Sequence, residues 1–484
     1  MKINDLLMGV EILETNISMD LEVNNVSYDS RCTENGDLFV AVRGFETDGH
    51  LYIPKAVGKG AVCVLCEDTP EMGVPFVRVE NTRRALSVVS ANLFGNPASE
   101  LKIIGITGTN GKTTTTNLVK TMLERLFGAK VGLIGTNCNM IGDTALESER
   151  TTPESFQLQK LFRRMADAGC THIVMEVSSH ALYLDRVYGV PFDIGVFTNL
   201  TRDHLDFHRT MEEYAKAKSL LFEKCRIGII NLDSEWAETM QDAAKCRLYT
   251  YSSQKDEADL TAKNIVLSSE GISFAALTRG RLEKVRLSIP GMFSVYNALS
   301  ALAVLINSGA DIADAAETLS KCSGVMGRAE IVPTGKDFSV IIDYAHTPDA
   351  VENILKTVRG FANGRVVTLI GCGGDRDKTK RPIMGAIAAE LSDFVIVTSD
   401  NPRTEEPGAI IEDILAGMAD TNTPFKVIEN RREAIGWAIE NAKPEDVIIL
   451  AGKGHETYQI VGKEKRHFDE REIVRDFLGE KRPR

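Results

Sequence analysis

The segment Ile103-Ile-Gly-Ile-Thr-Gly-Thr-Asn-Gly-Lys-Thr-Thr-Thr-Thr116 constrains this chain most. It runs an apolar strand straight into a small glycine-bearing turn, a lysine, four threonines and a helix. Successive backbone N–H groups in such a turn point inward and cradle phosphate oxygens. In that arrangement Lys112 reaches the β/γ-phosphates and the Thr113 hydroxyl holds Mg²⁺. The spacing departs from the strict GxxxxGK[ST] pattern. The first glycine should fall at Ile106, whereas Gly105 is one residue early and Gly108 two late. A ligand-free turn needs neither the lysine nor the threonine run. The reading is therefore a variant phosphate loop made of Gly108, Thr109, Asn110, Gly111, Lys112, Thr113 and Thr114.

The 484 residues suggest about three domains at ~150 residues each. A net charge of −12 (56 Lys+Arg against 68 Asp+Glu) argues against nucleic acid or an anionic membrane as the main partner. The N-terminal Met1-Lys-Ile-Asn-Asp-Leu-Leu has no long apolar region of a secretory signal, and no uncharged apolar run of membrane-spanning length occurs. Nine scattered cysteines fit a reducing cytoplasm. Cys63-Val-Leu-Cys66 is a lone CxxC inside an apolar run, which reads as a buried strand rather than a zinc or redox site.

Short strands and glycine turns fill residues 1–97. From Leu101 strand and helix alternate, with Leu118, Val119, Met122, Leu123 and Leu126 at helical spacing behind the loop. Residues 131–135, 171–177 and 193–198 read as buried strands with polar residues at their C-terminal ends, where open α/β sheets bind ligands. A second α/β series has strands at 339–342, 366–370, 394–397 and 447–450. The fold class expected is α/β in three domains: a small module at 1–97, a central P-loop domain with a parallel sheet at 98–329, and a C-terminal Rossmann-like domain at 330–484. The turn Gly371-Cys-Gly-Gly-Asp375 is only a partial dinucleotide fingerprint.

Glu176 ends a strand facing the phosphate loop, where a second Mg²⁺ ligand belongs. His204 suits a metal or phosphate contact, and Lys216 and Lys218 open a helix. Four charged or glycine-rich turns of the C-terminal part hold Asp343, Arg376, Arg403 and Glu456. Two arginines, which pair bidentately with carboxylates, beside an acidic group suit a zwitterionic amino acid.

Assembled in order, these motifs resemble the Mur ligases, ATP-dependent peptide ligases of peptidoglycan precursor synthesis and so of cell wall biogenesis. Gly108-Thr-Asn-Gly-Lys-Thr113, Glu176-Val-Ser-Ser-His180, Thr198-Asn-Leu, Asp203-His204, Tyr296-Asn-Ala298, Gly327-Arg328 and Asp343-Tyr-Ala-His346 carry the likeness over the whole chain. Within the family, Asp29-Ser-Arg31, Thr151-Thr-Pro153 and Asp400-Asn-Pro-Arg403 resemble the branch that adds meso-diaminopimelate to the UDP-MurNAc-dipeptide.

The resemblance implies roles residue by residue. Ser30, Phe45, Glu46 and Thr47 would contact the UDP moiety, and Thr151, Thr152, Ser178 and Arg186 the muramoyl-dipeptide. Lys218 matches a lysine the family carries as a carbamate (N6-carboxylysine), an anion that joins Thr113, Glu176 and His204 around Mg²⁺. Asn297, Arg328 and Asp343 match nucleotide contacts. Arg376, Asp400, Asn401, Pro402, Arg403, Gly452 and Glu456 match the amino-acid pocket. Leu184 stands where some relatives carry glutamine. The chemistry implied is acyl activation through an acyl phosphate, with Lys112, Glu176, His204 and Lys218 as the catalytic set, in a cytoplasmic monomer. Rival readings are the same reaction with L-lysine, a folylpolyglutamate-synthetase-like ligase, and a P-loop switch. The last lacks the Asn-Lys-x-Asp guanine-reading motif, since no asparagine is followed by lysine.

Overall fold

The computed structural model describes residues 1–44, 47–71, 73–268 and 270–479. Phe45 and Glu46 lie outside the described residues. The chain builds three α/β parts, each around its own main sheet. The N-terminal sheet runs in the order Glu14–Thr15, Phe76–Arg78, Cys63–Cys66, Leu38–Val40, Val26–Ser27, parallel except at its first strand. Cys63 packs into the core cluster on one face of its strand and Cys66 into the cluster on the other. Side chains three apart on a strand point to opposite faces, so this CxxC joins no common site.

The central sheet has eleven strands. The loop strand Lys102–Thr107 lies in its middle, parallel to Phe192–Phe197 on one side and His172–Glu176 on the other. Beyond Phe192–Phe197 come Cys225–Asn231 and Arg247–Ser252, and then a meander of Leu260–Ser268, Gly271–Thr278 and Arg281–Leu287. Beyond His172–Glu176 come Val131–Ile134 and a small hairpin. Gly105 sits opposite the Phe192 ring, which a Cβ there would approach to 2.7 Å. The glycine that sits one residue too early for a phosphate loop is therefore a packing glycine. The helix Lys112–Phe127 buries Leu118, Val119, Met122 and Leu123 against the sheet and ends on Gly128 in the left-handed conformation. Beside it lies Met292–Asn307, a helix apolar over most of its circumference and enclosed accordingly.

The C-terminal sheet orders Glu330–Val332, Ser339–Asp343, Val447–Ala451, Val366–Ile370, Phe394–Val397 and Phe425–Val427, parallel after the first pair. The four inner strands carry the turns singled out in the sequence on their C-terminal ends. On one face the helices Lys380–Leu391 and Pro407–Ala416 cross at Gly385, where an added Cβ would run into the Ile414 carbonyl oxygen. Alanine is the better helix former by about 1 kcal/mol. Overpacking against backbone nevertheless costs about 1–3 kcal/mol. Gly385→Ala should therefore lower the denaturation midpoint of this part of the protein, and a raised midpoint would show that the two helices slide apart without cost.

Candidate active site

The loop after Lys102–Thr107 is shaped by two glycines. Gly108 (φ +152) passes so close to the Thr198 hydroxyl that no side chain fits. Gly111 (φ +85) turns the chain into the helix, with Asn297 Oδ1 at 2.5 Å from the position of a Cβ. The segment 198–201 holds the loop from below. Thr109 N donates to the Asn199 carbonyl (2.9 Å), Asn110 N to Asn199 Oδ1 (2.9 Å), and Thr198 Oγ1 to the Asn110 carbonyl (2.6 Å). Asp349, at the start of the C-terminal helix Pro348–Arg359, accepts from Asn110 Nδ2 (2.6 Å) and Thr201 Oγ1 (3.0 Å), tying that helix to the loop.

Lys112 is half-buried and its Nζ donates to the carbonyls of Gly108 and Thr109, both at 2.8 Å. Burial pulls its pKa down, with the Glu176 charge opposing. Thr113 Oγ1 donates to Glu176 Oε1 (3.0 Å) and accepts from Arg328 Nη2 (3.2 Å). Thr115 Oγ1 bonds Asn297 (3.3 Å) and Thr116 Oγ1 bonds the Thr113 carbonyl (2.9 Å), so these hydroxyls are satisfied inside the fold. Thr114 is buried in the first turn of the helix.

Glu176 is wholly buried. Its carboxylate accepts from Thr113 Oγ1, Thr136 N (2.9 Å) and Thr136 Oγ1 (3.0 Å), and among the described residues each of these hydrogen-bond partners is neutral. A buried carboxylate satisfied only by neutral donors is costly unless a cation joins it. Among the described residues no three His, Cys, Asp or Glu side chains converge as a ready-made metal site. The oxygens present, one carboxylate and one hydroxyl beside a phosphate loop, are the donor set that suits Mg²⁺, which takes one or two carboxylates and completes its shell with phosphates and water.

Lys218 is 1% exposed and its Nζ donates to the Gly108 carbonyl at 3.0 Å, the same oxygen that Lys112 uses. It lies 4.6 Å over the Tyr214 ring. Burial drives its pKa well below that of an ordinary lysine and the Lys112 charge adds to the fall, against a weaker pull from Asp203. His204, in the left-handed conformation (φ +53), faces Asp203 (3.4 Å) and the Tyr214 ring (centroids 6.0 Å). His180 and His208 pack beside it, and burial pushes both down to about 4.

On the far side of Glu176, Thr152 Oγ1 donates to the Glu176 carbonyl (2.9 Å) and accepts from Ser178 N (3.0 Å), while Thr151 and Thr136 share a hydroxyl contact (3.0 Å). Arg186 donates to the Thr152 carbonyl (3.2 Å) and lies 2.6 Å from Glu154. The N-terminal part docks on this region through Tyr28 OH to Gln157 (2.9 Å) and Ser87 Oγ to the Tyr188 carbonyl (2.7 Å). Ser30 is buried near that seam, and Thr47 contacts Tyr52 (3.3 Å).

Arg328 stacks over Tyr344 (5.0 Å), and Tyr344 lies against His455 (4.8 Å). Arg328 Nε and His455 Nδ1 are buried polar atoms without a protein partner among the described residues, as expected of groups that face a bound molecule. Asp343, on the same side, accepts from Ala329 N, and burial raises its pKa.

A second charged cluster adjoins. Gly452 N donates to the Asp343 carbonyl (3.0 Å). Asn401 Nδ2 donates to Glu456 (2.8 Å), and Arg403 Nη1 to the Gly374 carbonyl (2.8 Å). Arg403 is itself at φ +52, pinned by backbone bonds to Ile460 and Gly462. Pro402 is buried between Asn401 and Arg403, and Arg376 is exposed beside them, bonded to the Asp375 carbonyl (3.0 Å). Glu405 is committed elsewhere: Arg381 (2.8 Å) and Lys378 (3.1 Å) hold it, and its pKa falls to about 2. Sequence reasoning missed Thr136, Asp349 and Lys453. Lys453 falls within Gly452-Lys-Gly-His-Glu456, but nothing in that string says which way the lysine points.

Fold and site together define a P-loop enzyme scaffold in which a phosphate loop faces a second, charged cluster from another sheet. Family models of the Mur ligase family catalytic domain, the Mur ligase middle domain and the Mur ligase glutamate ligase domain match residues 22–97, 106–305 and 327–454 in turn. UDP-N-acetylmuramoyl-L-alanyl-D-glutamate–2,6-diaminopimelate ligase 1 of Clostridium acetobutylicum is 50% identical over 467 residues, 96% of each chain. The ligase of that name from Clostridium tetani is 46% identical over 99% of this chain and 100% of its own. A solved structure of a protein with the same activity name superposes with a TM-score of 0.74 at 31% identity, covering 99% of both chains. The chain belongs to the Mur ligase family.

Proposed function

We propose that the protein is an ATP-dependent amide ligase that joins meso-diaminopimelate to the D-glutamyl γ-carboxylate of UDP-MurNAc-L-Ala-D-Glu, releasing ADP and phosphate. The observation that carries this reading is the continuous path from the phosphate loop through Thr113, Arg328, Tyr344 and His455 to the Asp400–Glu456 cluster. A phosphoryl donor and an amine acceptor would meet along it. The names of the full-length relatives support the same reaction.

In this reading residues 1–97 bind the UDP end, with Ser30 and Thr47 and the undescribed Phe45 and Glu46. Residues 98–329 bind ATP, and residues 330–484 bind the amino acid. Thr151, Thr152, Ser178 and Arg186 hold the muramoyl-dipeptide so that its γ-carboxylate faces the γ-phosphate. Gly108–Thr114 cradle the phosphates, with Asn297, Arg328 and Asp343 around the rest of the nucleotide. Lys112 stabilises charge on the phosphates as the acyl phosphate forms. Thr113 and Glu176, with His204 and a carbamylated Lys218, would hold Mg²⁺, which when bound neutralises phosphate charge. The incoming amine then attacks the acyl carbonyl and phosphate leaves. Among the described residues no helix is long and apolar enough to cross a membrane. Soluble nucleotide substrates suit a cytoplasmic enzyme, which we take to be a monomer.

The test is ADP release with ATP and the UDP-dipeptide against a panel of amino acids. Release that depends on meso-diaminopimelate supports the assignment, and incorporation of L-lysine with equal ease sinks it. Arg403 is the residue to probe. Glu405 is already paired with Arg381, so the half-buried Arg403 guanidinium keeps N–H groups for the second carboxylate of diaminopimelate. Losing one partner of a charge-assisted bond costs a few kcal/mol. Arg403→Ala should raise the KM for diaminopimelate by roughly 10²-fold. The KM values for ATP and the UDP-dipeptide should barely move, and a general rise in all three would count against the role.

A further inference from the structure

We propose that Lys453 is a positioning residue that sets the charge of the amino-acid pocket and so disfavours a cationic diamino acid relative to diaminopimelate. The inference rests on the function proposed above. Lys453 is 0% exposed. Its Nζ donates to Asn401 Oδ1 (3.1 Å), Glu456 Oε2 (3.2 Å) and Asp400 Oδ1 (3.5 Å), which uses all three of its donors. The partners come from two different strand ends, after Phe394–Val397 and after Val447–Ala451. Asn401 is then fixed at both ends of its amide, through Glu456 (2.8 Å) and Ile460 N (2.9 Å). One ammonium thus holds the two turns of the pocket together.

The charge count follows from the same contacts. Asp400 and Glu456 bring two negative charges and Lys453 cancels one of them, while the half-buried Arg403 and the exposed Arg376 add positive charge beside them. Behind it Arg431 and Glu470 pair at 2.8 Å with both side chains fully buried, a self-neutral unit that leaves the count unchanged. Diaminopimelate carries two ammoniums and two carboxylates and is neutral overall, whereas L-lysine carries a surplus positive charge. Charge differences are strongly felt in a pocket shielded from water. Arg403 rewards the extra carboxylate of diaminopimelate. Lys453 penalises the surplus ammonium of lysine, and discrimination is built from both halves.

The experiment measures kcat/KM for meso-diaminopimelate and for L-lysine on the full-length enzyme with ATP and the UDP-dipeptide. Lys453→Met should lower the diaminopimelate-to-lysine ratio by about tenfold or more, with the KM for ATP within about twofold of wild type. Adding Glu456→Gln removes the carboxylate that Lys453 balanced, and the double variant should recover much of the ratio. Glu456→Gln alone, with Lys453 in place, should raise the ratio, which keeps the test decisive if Lys453→Met does not fold. Equal losses for both amino acids, or a double variant with a lower ratio than Lys453→Met, would overturn the proposal and leave Lys453 as a structural tie. Wild-type enzyme without diaminopimelate-dependent ADP release would instead defeat the function on which the inference rests.

Discussion

Lys112→Ala is expected to fold normally and to lose ADP formation by about 10³-fold or more, roughly 4 kcal/mol of transition-state stabilisation. In the structure Lys112 Nζ caps the carbonyls of Gly108 and Thr109, the position from which a lysine swings onto a β/γ-phosphate. Among the described residues two other cations stand near. Arg328 is committed to Thr113 and the Tyr344 face, and Lys218 to the Gly108 carbonyl over Tyr214. Neither can take over without breaking those contacts. The fold should survive because the Gly108 carbonyl keeps its Lys218 donor and the Thr109 carbonyl belongs to a half-buried residue that water can reach. ADP release and a thermal melt check both halves together. Turnover within tenfold of wild type, about 1.4 kcal/mol, would remove Lys112 from the mechanism.

The phosphate loop was legible because its signal is local: a buried strand, a helix start, and glycines where the backbone must turn. Gly105 was the exception. Its reason is the Phe192 ring, more than eighty residues away, and no local pattern encodes it. The parallel strands Val366–Ile370 and Phe394–Val397 were equally readable, since strands buried on both faces are continuous apolar runs. The meander from Leu260 to Leu287 was not. One of its faces meets solvent and carries lysine, glutamate and arginine, so its strands lack the continuous apolar run that marks the buried ones. At the site, the motifs gave residue types but not partners. Asn110 and Asp349 are 239 positions apart, and only folding pairs them. Lys453 sat inside a noted motif, yet two of its three contacts, Asp400 and Asn401, lie on a different strand end.

In the function proposed above, Lys218 decides whether the metal end of the site is complete. As a plain lysine it is anomalous: 1% exposed, sharing a single carbonyl with Lys112, and among the described residues paired with no carboxylate. Two ammoniums on one oxygen in a buried setting repel, and burial already favours the neutral amine. A neutral amine is the form that attacks CO₂. Carbamylation would put an anion beside the Lys112 ammonium and, in the function proposed above, next to a cation held by Glu176 and Thr113. It would thus relieve the repulsion and supply an oxygen ligand in one step. Lys218→Ala should lose about 10³-fold in turnover, on the scale of removing one preorganised electrostatic group. Short carboxylic acids such as formate or acetate should restore part of it by filling the vacated space with a carboxylate. Lys218→Arg, always charged and unable to react with CO₂, should be as inactive as the alanine variant and should not respond to those acids. Bicarbonate should raise wild-type activity in CO₂-depleted buffer and leave both variants unchanged. Full activity in Lys218→Arg, or a bare lysine in the electron density of active enzyme, would show that the site works without a carbamate there.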